Sequence, residues 1–456
     1  MSIQLLRKYN KPGPRYTSYP PATFFHPEFS KDDYIKHISN SNKEESQNIS
    51  LYVHIPFCPR LCHFCGCNTS AYKSQDFVKR YIQAIKTEIQ SVSKYIDKNR
   101  KVTQIHWGGG TPNSISLDLV EEVMNEFSGI YNYSNDAEIA MECNPAYLEF
   151  KDIDRLYEMG FNRLSLGIQD FNEYILNNVN RAPSKHPVEE LVKHMRKNGF
   201  AGVNIDLIYG LPGQNADNFK ESIDKVIEIS PDRLVTFSYA HVPWVKNAQK
   251  HLEKIGLPSP EEKLDMFDMA YKKLLERGYI SIGMDHYAKP DDELAIALKN
   301  NKLHRNFQGY CTKKTTGQVY GFGATSISQL WGAYSQNYKE INKYIESIEK
   351  TGFAVERGYE LSKEDQVRRE VINEIMCNGH LNFNEIAKTF HITIEELKNI
   401  VGYNEANLKE FEEDSLLTIE NDIIRLNSQG FFVVRNIAMK FDPLLENKKA
   451  QYSKTI

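Results

Sequence analysis

Short apolar and β-branched runs alternate with longer stretches of helical period through the first two thirds of this chain. The runs at 51–55, 104–107, 138–142, 163–167, 203–208 and 234–239 are nearly continuously apolar, as strands covered on both faces require. Helical patterns lie near 76–98, 116–128, 151–159, 185–198, 215–228 and 260–277. Parallel strands need crossover connections, and those are right-handed. The alternation therefore predicts an α/β fold, a partial (β/α)6 TIM-like barrel. A weaker seventh strand is expected at 279–283.

The pattern changes towards the C-terminus. From Ser362 the text is charged and helical, with Ser362 placed as an N-cap and Asp365 three residues later. Two β-like runs, 415–426 and 431–434, are expected to form the wing of a small helical domain. Residues 1–45 carry Pro12, Pro14, Pro20, Pro21 and Pro27 and read as an extended arm. The expected organisation is an arm at 1–45, a catalytic domain at 46–350 and a mostly helical C-terminal domain at 351–456.

Composition narrows the options without choosing among them. A chain of 456 residues with net charge −4 has no basic field to attract nucleic acid. The wing invites a DNA-binding reading, but that segment is not strongly basic, so a lid or docking role is expected. The first residues lack the apolar core of a secretory signal, and no apolar run is long enough to span a bilayer. A cytoplasmic monomer is expected, although no heptad or exposed apolar face makes the oligomeric state readable.

The chemistry concentrates directly after the first strand. Cys58, Cys62, Cys65 and Cys67 fall in Cys58-Pro-Arg-Leu-Cys-His-Phe-Cys-Gly-Cys67. The spacing Cys-x3-Cys-x2-Cys suits an iron–sulfur cluster with one iron free of protein ligands. A structural zinc site would need a second ligand pair, yet Cys143, Cys311 and Cys377 are scattered singly. Seven cysteines in this length, an odd number, do not make a disulfide framework.

Ligands of parallel α/β folds bind at the carboxyl ends of the strands. Here those ends carry His54, Gly108-Gly109-Gly110-Thr111-Pro112, Glu142, Gln169-Asp170, Asp206 and Tyr239-Ala240-His241. The glycine run lacks the spacing of a dinucleotide or phosphate loop. It is read instead as a backbone that a ligand approaches closely and that donates N–H groups to it. Glu142 and Asp206 are candidate acceptors for ribose hydroxyls or an amine.

These residues carry a resemblance. Cys58-x3-Cys62-x2-Cys65 with Gly-Gly-Gly-Thr-Pro resembles the radical S-adenosylmethionine enzymes. The run Cys65-Gly-Cys-Asn68 looks like the oxygen-independent coproporphyrinogen III oxidases within them. Matching motifs are Gly13-Pro-Arg-Tyr-Thr-Ser-Tyr-Pro20, Asn204-Ile-Asp-Leu-Ile-Tyr-Gly-Leu-Pro212, Gly283-Met-Asp-His-Tyr-Ala288 and His304-Arg-Asn-Phe-Gln-Gly-Tyr310.

The resemblance implies the barrel of the radical S-adenosylmethionine type and a [4Fe-4S] cluster on Cys58, Cys62 and Cys65. Cys67 stands outside the ligand set but matters for activity. Two S-adenosylmethionine molecules are implied. The first would contact Tyr52, Gly109, Glu142 and Ile327. The second would contact Phe64, Gly110, Thr111, Gln169, Arg181, Asp206 and Ala240.

The implied reaction is radical decarboxylation of two propionates of coproporphyrinogen III to vinyl groups, giving protoporphyrinogen IX in haem biosynthesis. A reductant such as flavodoxin or ferredoxin and an unidentified electron acceptor would be partners. His54 and Cys67 are candidates for proton or electron steps. Arg15, Arg60 and Arg305 are candidates for the substrate carboxylates, because guanidinium is the best carboxylate clamp. The alternative is a haem-binding or haem-trafficking protein of the same subfamily. It is disfavoured by Cys67 after Gly66 and by the arm motif Tyr16–Pro20.

Overall fold

A computed structural model describes residues 3–43, 47–312 and 318–445. The chain groups into two compact units. One comprises Met1–Phe24, Tyr279–Lys313 and Leu361–Ile456; the other comprises Phe25–Gly278 and Lys314–Glu360. These units cut across the arm, catalytic and C-terminal blocks read from the sequence.

The larger unit holds the barrel strands β1 (Asn48–Ile55), β2 (Lys101–Gly109), β3 (Asn132–Cys143), β4 (Arg163–Gln169), β5 (Gly202–Tyr209) and β6 (Arg233–Ser238). They lie side by side in chain order and every neighbouring pair is parallel. The helices Gln75–Ser93, Leu117–Ile130, Phe150–Glu158, Val188–Asn198 and Ala216–Ile229 connect them, and Pro260–Glu276 follows. Each expected strand is present, with one face fully buried and the alternate positions Tyr52, His106, Glu142, Ser165 and Asp206 half-buried. Leu51, Val53, Trp107, Met141, Leu164, Leu166, Ile205 and Leu207 are at most 1% exposed. Burying one such side chain is worth about 1.5–3 kcal/mol.

The sheet continues beyond the expected six units. On the other edge of β1 lies β7 (Val319–Phe322), parallel to it, with Ser50 opposite Val319 and Val53 opposite Phe322. Antiparallel strands β8 (Ile327–Gln329), β9 (Ala333–Asn337) and β10 (Val355–Glu360) follow. The polar residues Ser328, Gln329, Ser335, Gln336 and Asn337 are buried in these strands, which is why no apolar pattern announces them.

Glu88 fixes the turn that leads into β8. Its carboxylate accepts from Tyr344 Oη and Asn337 Nδ2, each at 2.6 Å, and from the Gly323 amide at 2.9 Å. Burial pushes this carboxyl up to about 7, against the pull of those donors.

In the other unit the arm is not free. Tyr9, Tyr16 and Tyr19 are buried in its core. Tyr9 Oη donates to Asp414 at 2.6 Å, and Tyr16 and Tyr19 donate to the two oxygens of Asp442 at 2.8 and 2.9 Å. The extended arm expected over 1–45 also contains helices, Ile3–Tyr9 and Lys31–Ser41. Ser30 and Asp33 form a capping box at the second of these.

The weaker strand expected at 279–283 is present as Ile280–Gly283, antiparallel to His286–Ala288. One further expectation is corrected here. Residues 431–434 are helical, with Gly430–Val433 a 3-10 turn and Val434–Ala438 an α-helix. Val433, Val434, Ile437 and Ala438 reach the core from that helix, so burial outweighs β propensity. The expected N-cap Ser362 does form a capping box with Asp365. Residues 415–426 form the hairpin Leu417–Glu420 and Ile423–Leu426, turning at Asn421 and Asp422 with φ of 51° and 60°. No described helix is long and apolar enough to cross a membrane.

Candidate active site

The cysteine loop leaves the end of β1. Its base is closed by parallel pairing of Phe57–Cys58 with Ser70–Ala71. Cys58 is buried, Cys62 and Cys65 are half-buried, and Cys67 is exposed. Four loop carbonyls are held from elsewhere in the unit. Asn180 Nδ2 donates to Leu61 O at 2.8 Å, Gln249 Nε2 to Phe64 O at 3.1 Å, Lys246 Nζ to Cys67 O at 2.6 Å, and His54 Nε2 to Asn68 O at 3.1 Å. Above that strand pair the loop is thus held by side chains.

Two of the thiols already have polar neighbours. Thr111 Oγ1 donates to Cys58 Sγ at 3.4 Å, and Arg181 Nη1 to Cys62 Sγ at 3.6 Å. Burial pushes the Cys58 thiol up to about 11 and raises Cys62, while Thr111 and Arg181 favour the thiolates. The Cys67 thiol bonds to Cys65, which lowers Cys65 and raises Cys67. Thiolate character at Cys65 is what a metal ligand needs. Among the described residues no three His, Cys, Asp or Glu side chains converge on a single ion. Ligands that each bind a different iron of a cluster need not do so.

At the ends of β1 and β2 packing within the protein itself also calls for the glycines. A Cβ on Gly109, at φ +111°, would meet the His54 ring at 2.5 Å. One on Gly108 would meet the Glu142 carboxylate at 2.9 Å, and one on Gly110 the Phe57 carbonyl at 2.8 Å. The amides are spent within the protein too. Gly110 N donates to Ile55 O at 2.7 Å, Thr111 N to Phe57 O at 2.9 Å and Gly109 N to Glu142 at 3.3 Å. The glycines let the cysteine strand, His54 and Glu142 close on β2; they do not offer free N–H groups to a ligand.

His54 is buried with both ring nitrogens engaged, Nδ1 with Tyr52 Oη at 3.0 Å and Nε2 with the Asn68 carbonyl. A carbonyl only accepts, so Nε2 carries the proton and Nδ1 accepts from Tyr52. Burial keeps the ring neutral. This geometry gives His54 a positioning role for Tyr52 and the cysteine loop. Tyr52 also stacks on His106 at 6.0 Å.

His106, absent from the sequence reading, meets Glu142 at 3.0 Å. Desolvation pushes Glu142 upward, but the His106 and Gly109 hydrogen bonds outweigh it and hold the carboxyl below its ordinary value. His106 is correspondingly raised, against desolvation, by the same bond. The alternation of β2, which places Gln104 and His106 on one face, was the available signal.

On β4 and β5 the polar set continues. Ser165 Oγ donates to Asp206 at 3.1 Å, and burial, then the nearby Glu142 charge, pushes Asp206 up to about 7. Gln169 closes β4 at φ +70°, and its side-chain Oε1 is buried with no hydrogen-bond partner. Arg181 is 9% exposed and donates to the Gly167 carbonyl beside it. At the end of β6, the Ala240 carbonyl accepts from Gln249 at 3.3 Å. Phe64 packs on the apolar cluster of Ile175, Val179, Ile208, Leu211 and Tyr239. Ile327 begins β8, directly after the turn that Glu88 holds.

Thus Tyr52, His54, the four loop cysteines, Phe64, Gly109, Gly110, Thr111, Glu142, Gln169, Arg181, Asp206, Ala240 and Ile327 all belong to one unit, on or next to the strand ends. Gln249 and Lys246, which tie the loop down, were missed; they follow β6 with no motif, Gln249 in the short 3-10 helix Asn247–Gln249. Of the proposed substrate arginines, Arg60 is exposed in this unit and donates to Asn180 at 2.7 Å. Arg15 and Arg305 belong to the other unit.

Comparison with known proteins agrees with this geometry. A Radical SAM superfamily model matches residues 52–226, and a HemN C-terminal domain model matches residues 361–433. The chain is 41% identical over 451 residues to the oxygen-independent coproporphyrinogen III oxidase of Synechocystis, covering 99% of this chain and 96% of that protein. It is 38% identical over 459 residues to the protein of the same name from Escherichia coli, covering 100% and 98%. The solved structure of coproporphyrinogen III oxidase (HemN) from Escherichia coli, described as a radical SAM enzyme, superposes with a TM-score of 0.90 at 36% identity, covering 97% of this chain and 99% of that one. A barrel of this type, its strand-end residues and near-complete coverage by such relatives lead to one assignment: the chain belongs to the oxygen-independent coproporphyrinogen III oxidase family of radical S-adenosylmethionine enzymes.

Proposed function

We propose that this chain converts coproporphyrinogen III to protoporphyrinogen IX without oxygen, turning two propionates into vinyl groups with loss of carbon dioxide. The full-length likeness to oxidases of that name supports this reading over haem trafficking. Cys58, Cys62 and Cys65 would hold a [4Fe-4S] cluster, with Thr111 and Arg181 already bonded to two of the sulfurs. When bound, the cluster and S-adenosylmethionine supply the electron and the radical that removes hydrogen from the substrate.

The observation that carries the cofactor assignment is Gln169. A buried acceptor without a donor is expensive, of order 1–3 kcal/mol. A backbone held at φ +70° by a non-glycine residue adds further strain. Gln169 Oε1, with Asp206 and Glu142 on neighbouring strands, is an acceptor set suited to ribose hydroxyls and an ammonium.

Two S-adenosylmethionine molecules are proposed, one against Tyr52, Gly109, Glu142 and Ile327. The other lies against Phe64, Gly110, Thr111, Gln169, Arg181, Asp206 and Ala240. His54 fixes Tyr52 and the loop, and Cys67, at the exposed rim, serves proton or electron transfer. Arg15 and Arg305 are retained as substrate contacts. The reductant is of the flavodoxin or ferredoxin class. The test is cluster assembly under anaerobic conditions followed by incubation with S-adenosylmethionine, a reductant and coproporphyrinogen III. Formation of protoporphyrinogen IX is expected; its absence alongside stoichiometric haem binding would favour the trafficking reading.

A further inference from the structure

The unit containing the arm carries a cluster of guanidiniums. Arg15 is exposed, whereas Arg305 and Arg435 are each only 6% exposed. Arg305 Nη1 donates to the Arg15 carbonyl at 2.5 Å. Arg435 Nε donates to the Pro14 carbonyl at 3.0 Å, and its Nη2 reaches the Gly13 carbonyl. Three cationic residues therefore gather on the segment Gly13-Pro14-Arg15.

Their charges act on one another. Burial, then Arg15 and Arg305, pull the Arg435 guanidinium down to about 9. Asp285 lies within reach of the same field. Desolvation pushes its carboxyl up, but the His286 hydrogen bond at 2.8 Å, with Arg15 and Arg305, holds it low.

Fastening three backbone carbonyls needs hydrogen-bond donors, which neutral amides would supply. It does not need clustered permanent charges with their desolvation and mutual repulsion. Arg305 is the sharper case. Its guanidinium lies over the Tyr310 ring at 5.3 Å, which orients the plane, and its Nε is buried with no acceptor. A buried charged donor left unmade is a larger penalty than a neutral one. An anion with two oxygens would remove both the repulsion and the orphan.

We propose that Arg15, Arg305 and Arg435 form a carboxylate-binding subsite that takes a propionate of the substrate. This rests on the tetrapyrrole reading above. Arg305 and Arg15 supply the donors; Arg435, outside every sequence motif, adds charge and fixes the arm backbone. A planar guanidinium matches a carboxylate in bidentate geometry. Arg60, exposed and tied to Asn180, is left out of this subsite.

The test uses the full-length protein, purified anaerobically and titrated with coproporphyrin III, the stable four-carboxylate porphyrin, with fluorescence quenching as the readout. Protoporphyrin IX, with two carboxylates, is titrated in parallel. Arg305→Gln and Arg15→Gln should each weaken coproporphyrin III binding about tenfold, as loss of one charge-assisted pair implies. The preference for four carboxylates over two should shrink with it, which a loss of packing alone would not produce. Wild-type affinity in both variants would overturn the subsite. If Arg305→Gln unfolds, Arg15→Gln decides, because its side chain is exposed. Failure of the unaltered protein to bind coproporphyrin III would instead overturn the tetrapyrrole reading itself.

Discussion

The Gln249 amide donates to the Phe64 carbonyl at 3.1 Å although 185 residues separate them. The same nitrogen reaches the Ala240 carbonyl at 3.3 Å, and Gln249 Oε1 accepts from the Val242 amide at 2.6 Å. One buried side chain thus joins the cysteine loop to the end of β6. Replacing it by Leu leaves these groups unpaired, which costs roughly 1–3 kcal/mol. Gln249→Leu should lower the unfolding midpoint and the iron retained per chain after anaerobic reconstitution. Unchanged iron content would show that the loop holds its shape without this tie.

The Glu142–His106 pair sets a pH window. Glu142 is lowered from its ordinary 4.5, so its contribution is present above that pH and is lost as pH falls through the folded value. His106 is raised from 6.5, so its contribution is complete below that pH and is lost as pH rises through the folded value. Both are complete between 4.5 and 6.5. His106→Phe keeps the ring stacked on Tyr52 but removes the pair. Its destabilisation, measured by denaturant unfolding, should be largest near pH 5.5 and smaller at pH 9. A pH-independent difference would mean the pair is not formed.

Glu88 has the opposite sign. Its carboxyl is raised from 4.5 to about 7, so the folded state binds more protons across that interval and stability falls as pH rises through it. Glu88→Gln has no such titration. The stability advantage of the wild type over this variant should therefore shrink between pH 4.5 and 7 and then level off. Growth of that advantage with pH would place the ionised form, not the neutral one, in the folded protein.

Gln169 tests the proposed second S-adenosylmethionine. Gln169→Asn keeps a residue that tolerates positive φ but shortens the side chain by one methylene. The KM for S-adenosylmethionine should rise about tenfold, the loss expected for a buried hydrogen bond. Iron content should be unaffected, since the side chain is bonded to no cysteine. An unchanged KM would remove Gln169 from the cofactor site.

The barrel was legible because short runs rich in buried apolar residues alternate with helical stretches, although one face of those runs carries half-buried polar residues such as His106, Ser165 and Asp206. The extension β7–β10 was not: β7 is a run of only four residues, and β8 and β9 bury Ser, Gln and Asn among their positions, satisfied by partners far along the chain such as Glu88 with Asn337. Strand ends announced Glu142 and Gln169 by polarity after an apolar run, and Asp206 interrupted the apolar run of β5. His106 and Gln249 lacked that signal, since their meaning comes from Glu142 and from the loop carbonyls they meet. The glycine run was recognised, but its cause, crowding by His54 and Glu142, needs three dimensions. Residues 431–434 looked β-like from side-chain type alone, and the core they cover decided for a helix.

The central claim is a radical decarboxylation run twice at one strand-end site. The direct measurement is the carbon dioxide and methionine released per protoporphyrinogen IX by the anaerobically reconstituted protein, with Cys62→Ser in parallel. The account predicts two of each per product and none from the Cys62→Ser protein. Product formed by Cys62→Ser, or formed without methionine release, would contradict it.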